Sequence, residues 1–128
     1  MRRAGDASRD PGDAPRGPAG VHAARAAVPG AEQLEALGLF FKLIGDPTRL
    51  GILHGLAPGE LCVRDLSEAL GMSESATSHQ LALLRRARMV RARRAGRSVY
   101  YGLCDRHVRQ LVDAARVHLA EEGATRAP

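Results

Sequence analysis

The side chains best suited to bind a metal ion lie along one segment near the C-terminus, DRHVRQLVDAARVHLAEE, at residues 105–122. An α-helix turns about 100° and rises about 1.5 Å per residue, so His107 and His118 would share one face within about 20° but stand about 16 Å apart. Asp105 takes the N-cap position beside His107. Glu121 follows His118 by three residues on nearly the same face. The segment therefore carries two half-sites, one at each end of a helix.

Two copies of this helix would complete both half-sites. If they pack antiparallel about a two-fold axis, the first half-site of one copy meets the second half-site of the other, and the symmetry repeats every contact. Each resulting site has two imidazoles and two carboxylates, a ligand set that at tetrahedral spacing suits Zn(II) or Co(II). From these four residues alone a solvated polar stripe is the competing interpretation, because helices with His and acids on one face are common.

The composition is that of a small basic protein. Its 128 residues amount to one domain, and no apolar run is long enough to span a membrane. The net charge of +5 and the pI near 10.2 come from 18 Arg and a single Lys, which suits an acidic polymer such as DNA as partner. Only Cys62 and Cys104 could form a disulfide, and no apolar signal segment is visible, so a reducing cytoplasm is the expected location.

Three segments differ in composition. Residues 1–30 hold eight Ala, five Gly and four Pro and almost no large apolar side chain. They cannot bury enough surface to offset the entropy of ordering, so a disordered tail is predicted. Residues 31–122 carry helix and strand patterns and are predicted to form the folded domain. Residues 123–128 are predicted to be a flexible C-terminus.

Two helices begin the predicted domain. The first starts at Ala31, and its apolar residues at three- and four-residue spacing are Leu34, Leu37, Phe41 and Ile44. Asp46 is the expected N-cap of the second helix, with Pro47 at the first helical position, where its missing N–H costs nothing. Pro58 and Gly59 are expected to end it.

The next segment predicts a helix-turn-helix. A helix over Leu61–Leu70 is followed by Gly71 as its C-cap, and Ser73 caps a second helix that runs to about Arg86. The outward face of the second helix is small or polar near its start, where a recognition helix meets base edges, and basic near its end, where phosphates lie. An ordinary helical hairpin is the alternative. The residues of this helix predicted to contact DNA are Ser75, Ser78, His79, Arg85 and Arg86.

An alternating pattern then predicts a β-hairpin. Its expected strands are Met89–Arg93 and Ser98–Leu103. The turn between them holds Arg94 and Arg97, both predicted to contact DNA, and Gly96, which is free to take positive φ. From Gln80 to Cys104 there are seven Arg and no acid. A hairpin with Arg at its tip directly after a helix-turn-helix is a wing that reaches the minor groove or the flanking backbone. A solvated basic face is the alternative.

Three stretches of the chain carry a family resemblance. They are DPTRLGIL at Asp46–Leu53, ELCVRDLSEALGMSESATSHQLALLR at Glu60–Arg85 and GRSVYYGL at Gly96–Leu103. Together they resemble the ArsR/SmtB family of metal-responsive winged-helix repressors, over about Leu34 to Glu122. The resemblance implies an α+β, mainly helical, winged helix-turn-helix with N- and C-terminal dimerisation helices. It also implies a metal site whose ligands match Asp105, His107, His118 and Glu121, closest to the zinc-sensing branch.

The resemblance implies a function as well. The expected protein is a homodimer with no enzymatic activity, whose apo form represses transcription at a palindromic operator in double-stranded DNA. Binding of Zn(II) as inducer would release it. In the family, a metal-bound His hydrogen-bonds to backbone near the end of the recognition helix. Here that bond would join His118 to the carbonyl region around Arg88.

The family's other metal site combines thiols of the helix-turn-helix with ligands from the N-terminal arm. Cys62 and Asp65 match two of its positions, but Arg64 replaces a second thiol, and the arm offers only His22. The resemblance therefore implies a vestigial site. Cys62 is expected to be a small buried hydrophobe.

Two other functions stay open. A redox-responsive repressor of the same fold would use Cys62 and Cys104, and a member without an inducer would use neither. Cys104 is otherwise expected to be a strand residue near the interface. A zinc hydrolase would use the His and carboxylate cluster. It is the weaker alternative, because the protein would fill all four ligand positions, whereas catalytic zinc keeps one open for water.

Overall fold

The structure is a computed structural model and describes residues 16–126 of the chain. In that part the chain forms helices and a three-stranded antiparallel sheet, which confirms the predicted α+β, mainly helical class. The helices are α1 (Pro18–Ala27), α2 (Ala31–Ile44), α3 (Pro47–Leu56), α4 (Val63–Leu70), α5 (Glu74–Arg86) and α6 (Arg106–Arg126). The strands are β1 (Leu61–Cys62), β2 (Val90–Ala95) and β3 (Ser98–Leu103).

The N-terminal segment differs from its prediction. Helix α1 occupies part of residues 1–30, where the composition predicts a disordered tail. Pro18 stands in its first turn with φ already set for a helix, and much of the rest is Ala, the best helix former. A lack of large apolar side chains limits burial without lowering helix propensity, and α1 has no buried residue. Residues 1–15 of the predicted tail lie outside the described residues.

By compactness the chain divides into two units, Met1–Gly38 and Leu39–Pro128. The first contains α1 and the start of α2, and the second contains the end of α2 and every later element. The predicted boundaries of the folded domain, residues 31–122, stay a prediction. At the C-terminal side, α6 continues to Arg126 instead of ending where a flexible C-terminus is predicted to begin, because no proline interrupts the helix before Pro128.

Side-chain caps set where α3 and α5 begin. Asp46 Oδ2 accepts a hydrogen bond from the Arg49 N–H at 3.0 Å, and Pro47 follows at the start of α3. Ser73 Oγ accepts one from the Ala76 N–H, also at 3.0 Å. Both predicted caps are confirmed. Each satisfies a backbone donor that the first turn of a helix leaves without an intrahelical partner.

One apolar core holds the later helices and the sheet together. Helix α5 contributes Leu81 and Leu84, which are 1% and 0% exposed, and its Thr77 is equally buried. The Thr77 hydroxyl donates to the Ser73 carbonyl at 2.8 Å, so this polar group is satisfied inside the core. The rest of the core comprises Ile44, Ile52, Leu53, Leu56, Leu66, Met89, Val90, Val108 and Val112.

Arg49 links the end of α2 to α5 through α3. Its Nε donates to the Leu43 carbonyl at 2.6 Å, and its Nη1 donates to Gln80 Oε1 at 3.3 Å. The side chain is half-buried, so both bonds are sheltered from competing water. The start of α3 therefore connects two helices that are remote from each other in sequence.

The sheet has the strand order β1-β3-β2. In β1, Leu61 lies opposite Tyr101 and Cys62 lies opposite Tyr100. The sequence predicts a helix from Leu61, but α4 begins only at Val63, because the two preceding residues pair with β3. This pairing joins segments that are far apart in the chain, so a local sequence pattern cannot predict it.

The hairpin is longer than predicted on one side. Strand β2 runs from Val90 to Ala95, two residues beyond the predicted end, whereas β3 has its predicted bounds. The turn contains only Gly96 and Arg97, and Gly96 takes the predicted positive φ, 63°. Arg94 pairs with Val99 inside the ladder. A two-residue turn matches the strand twist, so the ladder extends to the turn.

Gly71→Ala is expected to lower the free energy of unfolding by about 1 kcal/mol, because a left-handed conformation costs a residue with a Cβ about 1–2 kcal/mol. Gly71 follows α4 with φ 65°. Gly59→Ala is the matched control, since an added Cβ there meets nothing within 4 Å and its φ is not left-handed. Urea unfolding followed by circular dichroism measures both variants. Equal losses would contradict the assignment of the cost to φ.

Candidate DNA-binding surface and metal site

The outward face of α5 is available to a partner. Because Thr77, Leu81 and Leu84 are buried, the opposite side of the helix must face solvent. The polar positions lie toward its start, and the basic ones lie in its last turn. All five residues predicted to contact DNA from this helix are exposed, namely Ser75, Ser78, His79, Arg85 and Arg86.

The wing places two more of the predicted residues at its tip. Arg97 lies in the turn and Arg94 near the end of β2, and both are exposed. The predicted turn over residues 94–97 is corrected to two residues, so the strand backbone holds Arg94 in place. Basic side chains thus occur at two places that are separate in sequence, the end of α5 and the wing tip.

A hollow of about 440 Å³ lies between α5 and β3. Ser78, Arg85 and Arg86 line it from the helix, and Tyr101 lines it from the sheet. Hydroxyl and guanidinium groups donate hydrogen bonds, so this lining suits phosphate oxygens. Sequence reasoning missed Tyr101, because strand alternation alone does not show which β3 side chain lies beside the helix.

Glu60, which lies before the acid-free stretch of residues 80–104, contacts the wing. The Glu60 carboxylate is hydrogen-bonded to Arg91 through Oε2 and to Arg93 through Oε1, with Arg93 Nη2 at 2.8 Å and Arg93 Nε at 3.0 Å. These bonds, from Arg93 first and then Arg91, hold the pKa of the Glu60 carboxyl below its usual value. The Arg93 guanidinium also lies 5.4 Å from the Tyr100 ring centroid, a cation–π contact. Two of the seven arginines are therefore already occupied within the protein.

The N-terminal half-site of α6 is built around its cap. Asp105 Oδ1 accepts hydrogen bonds from the His107 N–H at 2.9 Å and the Val108 N–H at 3.0 Å. His107 Nδ1 lies 4.0 Å from the same oxygen. Both side chains are more than half exposed. A carboxylate has a second oxygen to offer a metal while the first caps the helix, so this pair fits half of a zinc ligand set.

The second half-site lies in the exposed part of α6. His118 Nε2 is 3.7 Å from Glu122 Oε2, whereas the sequence pairs His118 with Glu121. Residues three and four positions apart are both neighbours on a helix, so spacing alone does not choose between these carboxylates. Glu121 is exposed on the same turn. Among the residues that the structure describes, no group of three or more His, Cys, Asp or Glu side chains is arranged to hold a metal within one chain.

The residues of the second, vestigial site lie around another hollow, of about 540 Å³. Cys62 is only half-buried at the N-cap of α4, so the expectation of a buried hydrophobe is wrong in degree. Asp65 is exposed in the first turn of α4, and Arg64 lines the hollow beside it. His22 is exposed on α1. A guanidinium beside the thiol and carboxylate disfavours a cation there.

The two thiols are too far apart to form a disulfide within one chain. Cys62 lies opposite Tyr100, and Cys104 comes four residues after Tyr100, about 13 Å along an extended strand. A disulfide needs Cα atoms about 4.4–6.8 Å apart. Cys104 is exposed and lies just beyond the end of β3, not within the strand as predicted. Its N–H donates a hydrogen bond to the Met89 carbonyl at 2.9 Å.

A recognition helix with an outward polar and basic face, followed by a hairpin with arginines at its tip, defines a winged helix-turn-helix DNA-binding protein. The family described as bacterial regulatory protein, arsR family, matches residues 46–92, from the start of α3 into β2. No helix in residues 16–126 is long and apolar enough to cross a membrane.

Comparison with known proteins identifies the particular family. The chain is 48% identical over 90 residues to the transcriptional repressor SmtB homolog of Synechocystis sp., covering 70% of this chain and 68% of the relative. It is 42% identical over 82 residues to the cadmium resistance regulatory protein CadC homolog of Staphylococcus aureus, covering 63% and 68%. A homodimeric winged helix-turn-helix domain from Mycobacterium bovis matches with a TM-score of 0.67 at 32% identity, covering 71% and 84%. The chain belongs to the ArsR/SmtB family of transcriptional repressors, and the hydrolase alternative is wrong.

Cys62→Ser is expected to leave metal binding unchanged, because Arg64 and the lack of a nearby second thiol make the α4 site a poor cation site. The measurement is the absorption spectrum of the protein titrated with Co(II), which should show imidazole and carboxylate ligation without an intense thiolate charge-transfer band. Cys104→Ser is the matched control. A strong band that vanishes only in Cys62→Ser would place the metal at the α4 site instead.

Proposed function

We propose that this protein is a homodimeric repressor that binds a palindromic operator in its apo form and leaves it when Zn(II) binds between the subunits. Asp105 and His107 of one chain, with His118 and Glu121 of the partner subunit, would hold the ion. Zinc bound there would act as a signal through its charge and its fixed ligand geometry.

The observation that carries this proposal is the division of the ligands between the two ends of α6. Each end is exposed and offers one imidazole with one nearby carboxylate. A straight helix keeps His107 and His118 about 16 Å apart, far more than the roughly 4 Å across which two ligands share one zinc ion. A second copy of the chain is the simplest source of the missing half.

Exposed apolar side chains on α2 and α6 support a dimer. Val117 and Leu119 are 54% and 66% exposed although both are apolar, and they lie on the half of α6 that also carries His118. Large apolar side chains that remain exposed in a monomer mark surfaces for association. The homodimeric relative is a precedent for such an assembly. The exposed apolar residues of α2 are Leu34, Leu37, Leu39 and Phe41.

The DNA contacts follow from the exposed faces of α5 and the wing. In a two-fold dimer the two α5 helices would enter successive major grooves, about 34 Å apart, and a palindromic site would match their symmetry. Ser75, Ser78 and His79 would meet base edges. The arginines of the last turn of α5 and of the wing tip would contact phosphates.

Metal and DNA would be coupled through the end of α5. The backbone hydrogen bonds that close the helix include one from the Arg88 N–H to the Arg85 carbonyl at 3.0 Å and one from the Met89 N–H to the Leu84 carbonyl at 2.9 Å. They hold Arg88 at φ 59°, so its backbone conformation is well defined. His118 would use its outer ring nitrogen to donate to backbone in this region. Allosteric coupling of this kind amounts to about 1–3 kcal/mol and is reciprocal between the two ligands.

Substituting the wing-tip arginines is expected to weaken binding to all DNA sequences alike. In Arg94→Ala/Arg97→Ala, loss of two phosphate contacts per subunit, four per dimer, should reduce the slope of log K against log salt by about 3.6, at about 0.9 per phosphate. His79→Ala is the matched comparison, since it should relax preference at particular base pairs and leave the slope unchanged. Fluorescence anisotropy with a labelled duplex from upstream of the protein's own gene measures both. A wild-type affinity independent of salt would refute the DNA surface.

The shared metal site is tested by mixing two inactive variants. Each homodimer of His107→Ala or His118→Ala loses one ligand from both sites, so neither should respond to zinc. In a heterodimer of the two, both lesions fall in one site and the other site is intact. The heterodimer, purified through two different tags, is expected to bind one zinc tightly and to recover part of the zinc-driven release from DNA.

The competing arrangement predicts the opposite result. If each site were built within one chain, every chain of the heterodimer would still lack a ligand. Calorimetric titration with zinc would then show no binding above that of the two parent homodimers, and the shared site would be wrong.

A further inference from the structure

The side chain of Glu60 crosses the sheet from the β1 edge to the β2 edge. Glu60 directly precedes β1, whereas Arg91 and Arg93 lie on β2, and β3 runs between these two strands. Its Oε1 accepts hydrogen bonds from Arg93, whereas its Oε2 accepts one from Arg91 and, at 3.4 Å, one from Arg93 Nε. The three side chains, called here the Glu60 clamp, therefore connect both outer strands across the middle one.

Gly102 makes this crossing possible. It lies on β3 opposite Arg91. A Cβ at this position would stand 3.1 Å from Glu60 Cγ and 3.3 Å from Arg91 Nη2, closer than side chains normally approach. With no side chain at 102, the carboxylate and the guanidinium pass over the backbone of β3 and meet. The clamp therefore depends on the pairing of the three strands and on the absence of a side chain at Gly102.

The clamp divides the arginines of the acid-free stretch into two classes. Arg91 and Arg93 share a carboxylate whose side chain is 24% exposed, compared with 51% and 54% for their own. Arg93 is held further by its contact with the Tyr100 ring. All four arginines are exposed, but the guanidinium groups of Arg91 and Arg93 are engaged by Glu60, whereas Arg94 and Arg97 form no ion pair with a described residue.

We propose that Glu60 limits how much of the wing binds DNA, by holding Arg91 and Arg93 on the sheet so that only the wing tip and the end of α5 neutralise phosphates. Glu60 is then a positioning residue for specificity. Nonspecific affinity comes almost entirely from phosphate contacts, so two withheld arginines weaken binding to any sequence without affecting base contacts. This inference rests on the proposed DNA-binding function.

The test compares two double variants that remove the same charge. Arg91→Ala/Arg93→Ala is expected to leave the slope of log K against log salt within about 0.5 of the wild type, because it removes no phosphate contact. Arg94→Ala/Arg97→Ala removes four phosphate contacts per dimer and should reduce that slope by about 3.6, at about 0.9 per phosphate. The probe for both is a mixed-sequence duplex followed by fluorescence anisotropy between 50 and about 300 mM salt. Equal losses of slope in the two pairs would overturn the proposal.

A second experiment releases the clamp. Glu60→Gln is expected to bind the mixed-sequence duplex more tightly and with a steeper slope, and the triple variant Glu60→Gln/Arg91→Ala/Arg93→Ala should return the slope to the wild-type value. Glu35→Gln, an exposed position on α2, controls for the change in net charge. A slope that is the same in Glu60→Gln and Glu35→Gln would refute the clamp while leaving DNA binding intact. Failure of the wild type to bind either duplex would refute both proposals, and failure of Glu60→Gln to fold leaves the two arginine pairs as the deciding comparison.

Discussion

Burial of one face of α5 is the constraint on which the rest of the molecule depends. Thr77, Leu81 and Leu84 are almost fully removed from solvent, so rotation of the helix about its axis would expose apolar surface and leave a cavity. The Thr77 hydroxyl is satisfied by the turn before it, and Arg49 holds the same helix from the side through Gln80. Side chains on the opposite face have no freedom to turn inward. A rigid recognition surface follows from the core, and the DNA contacts that we propose inherit their geometry from it.

The long C-terminal helix packs against the core through its first turns. Val108 and Val112 anchor its first turns in the core, whereas Val117 and Leu119 beyond them are exposed. A helix held in this way projects its second half from the domain, and His118 on that half lies about 16 Å along the helix from His107 at the anchored end of the same chain. Under the proposed function, metal sensing and dimerisation are then one event, since the site is complete only where two such helices meet.

The net charge of +5 does not show which basic side chains are paired within the protein. The seven arginines between residues 80 and 104 differ in what they contact, because Glu60 engages two of them from a distant part of the chain. Glu60 and its partners show why a basic stretch does not translate directly into a binding surface. Under the proposed function, the arginines at the wing tip and at the end of α5, which Glu60 does not engage, are the ones whose charge meets DNA phosphates. Their number, more than the total, would set the salt dependence of binding.

Local signals in the sequence determined the start of α3 at Asp46, the start of α5 at Ser73 and the turn at Gly96, because caps, helical periodicity and positive φ each act over a few residues. The same spacing rules located the ligand candidates of α6, although they did not choose between Glu121 and Glu122. The composition of residues 1–30 did not predict α1, because a segment that buries little apolar surface can still have a high helix propensity. Only the tertiary structure decided that Leu61 and Cys62 form a strand, that Tyr101 lines the hollow beside α5, and that Glu60 crosses Gly102 to reach β2. Each of these depends on pairing between distant segments, whose free energy comes from contacts that exist only after the chain has folded.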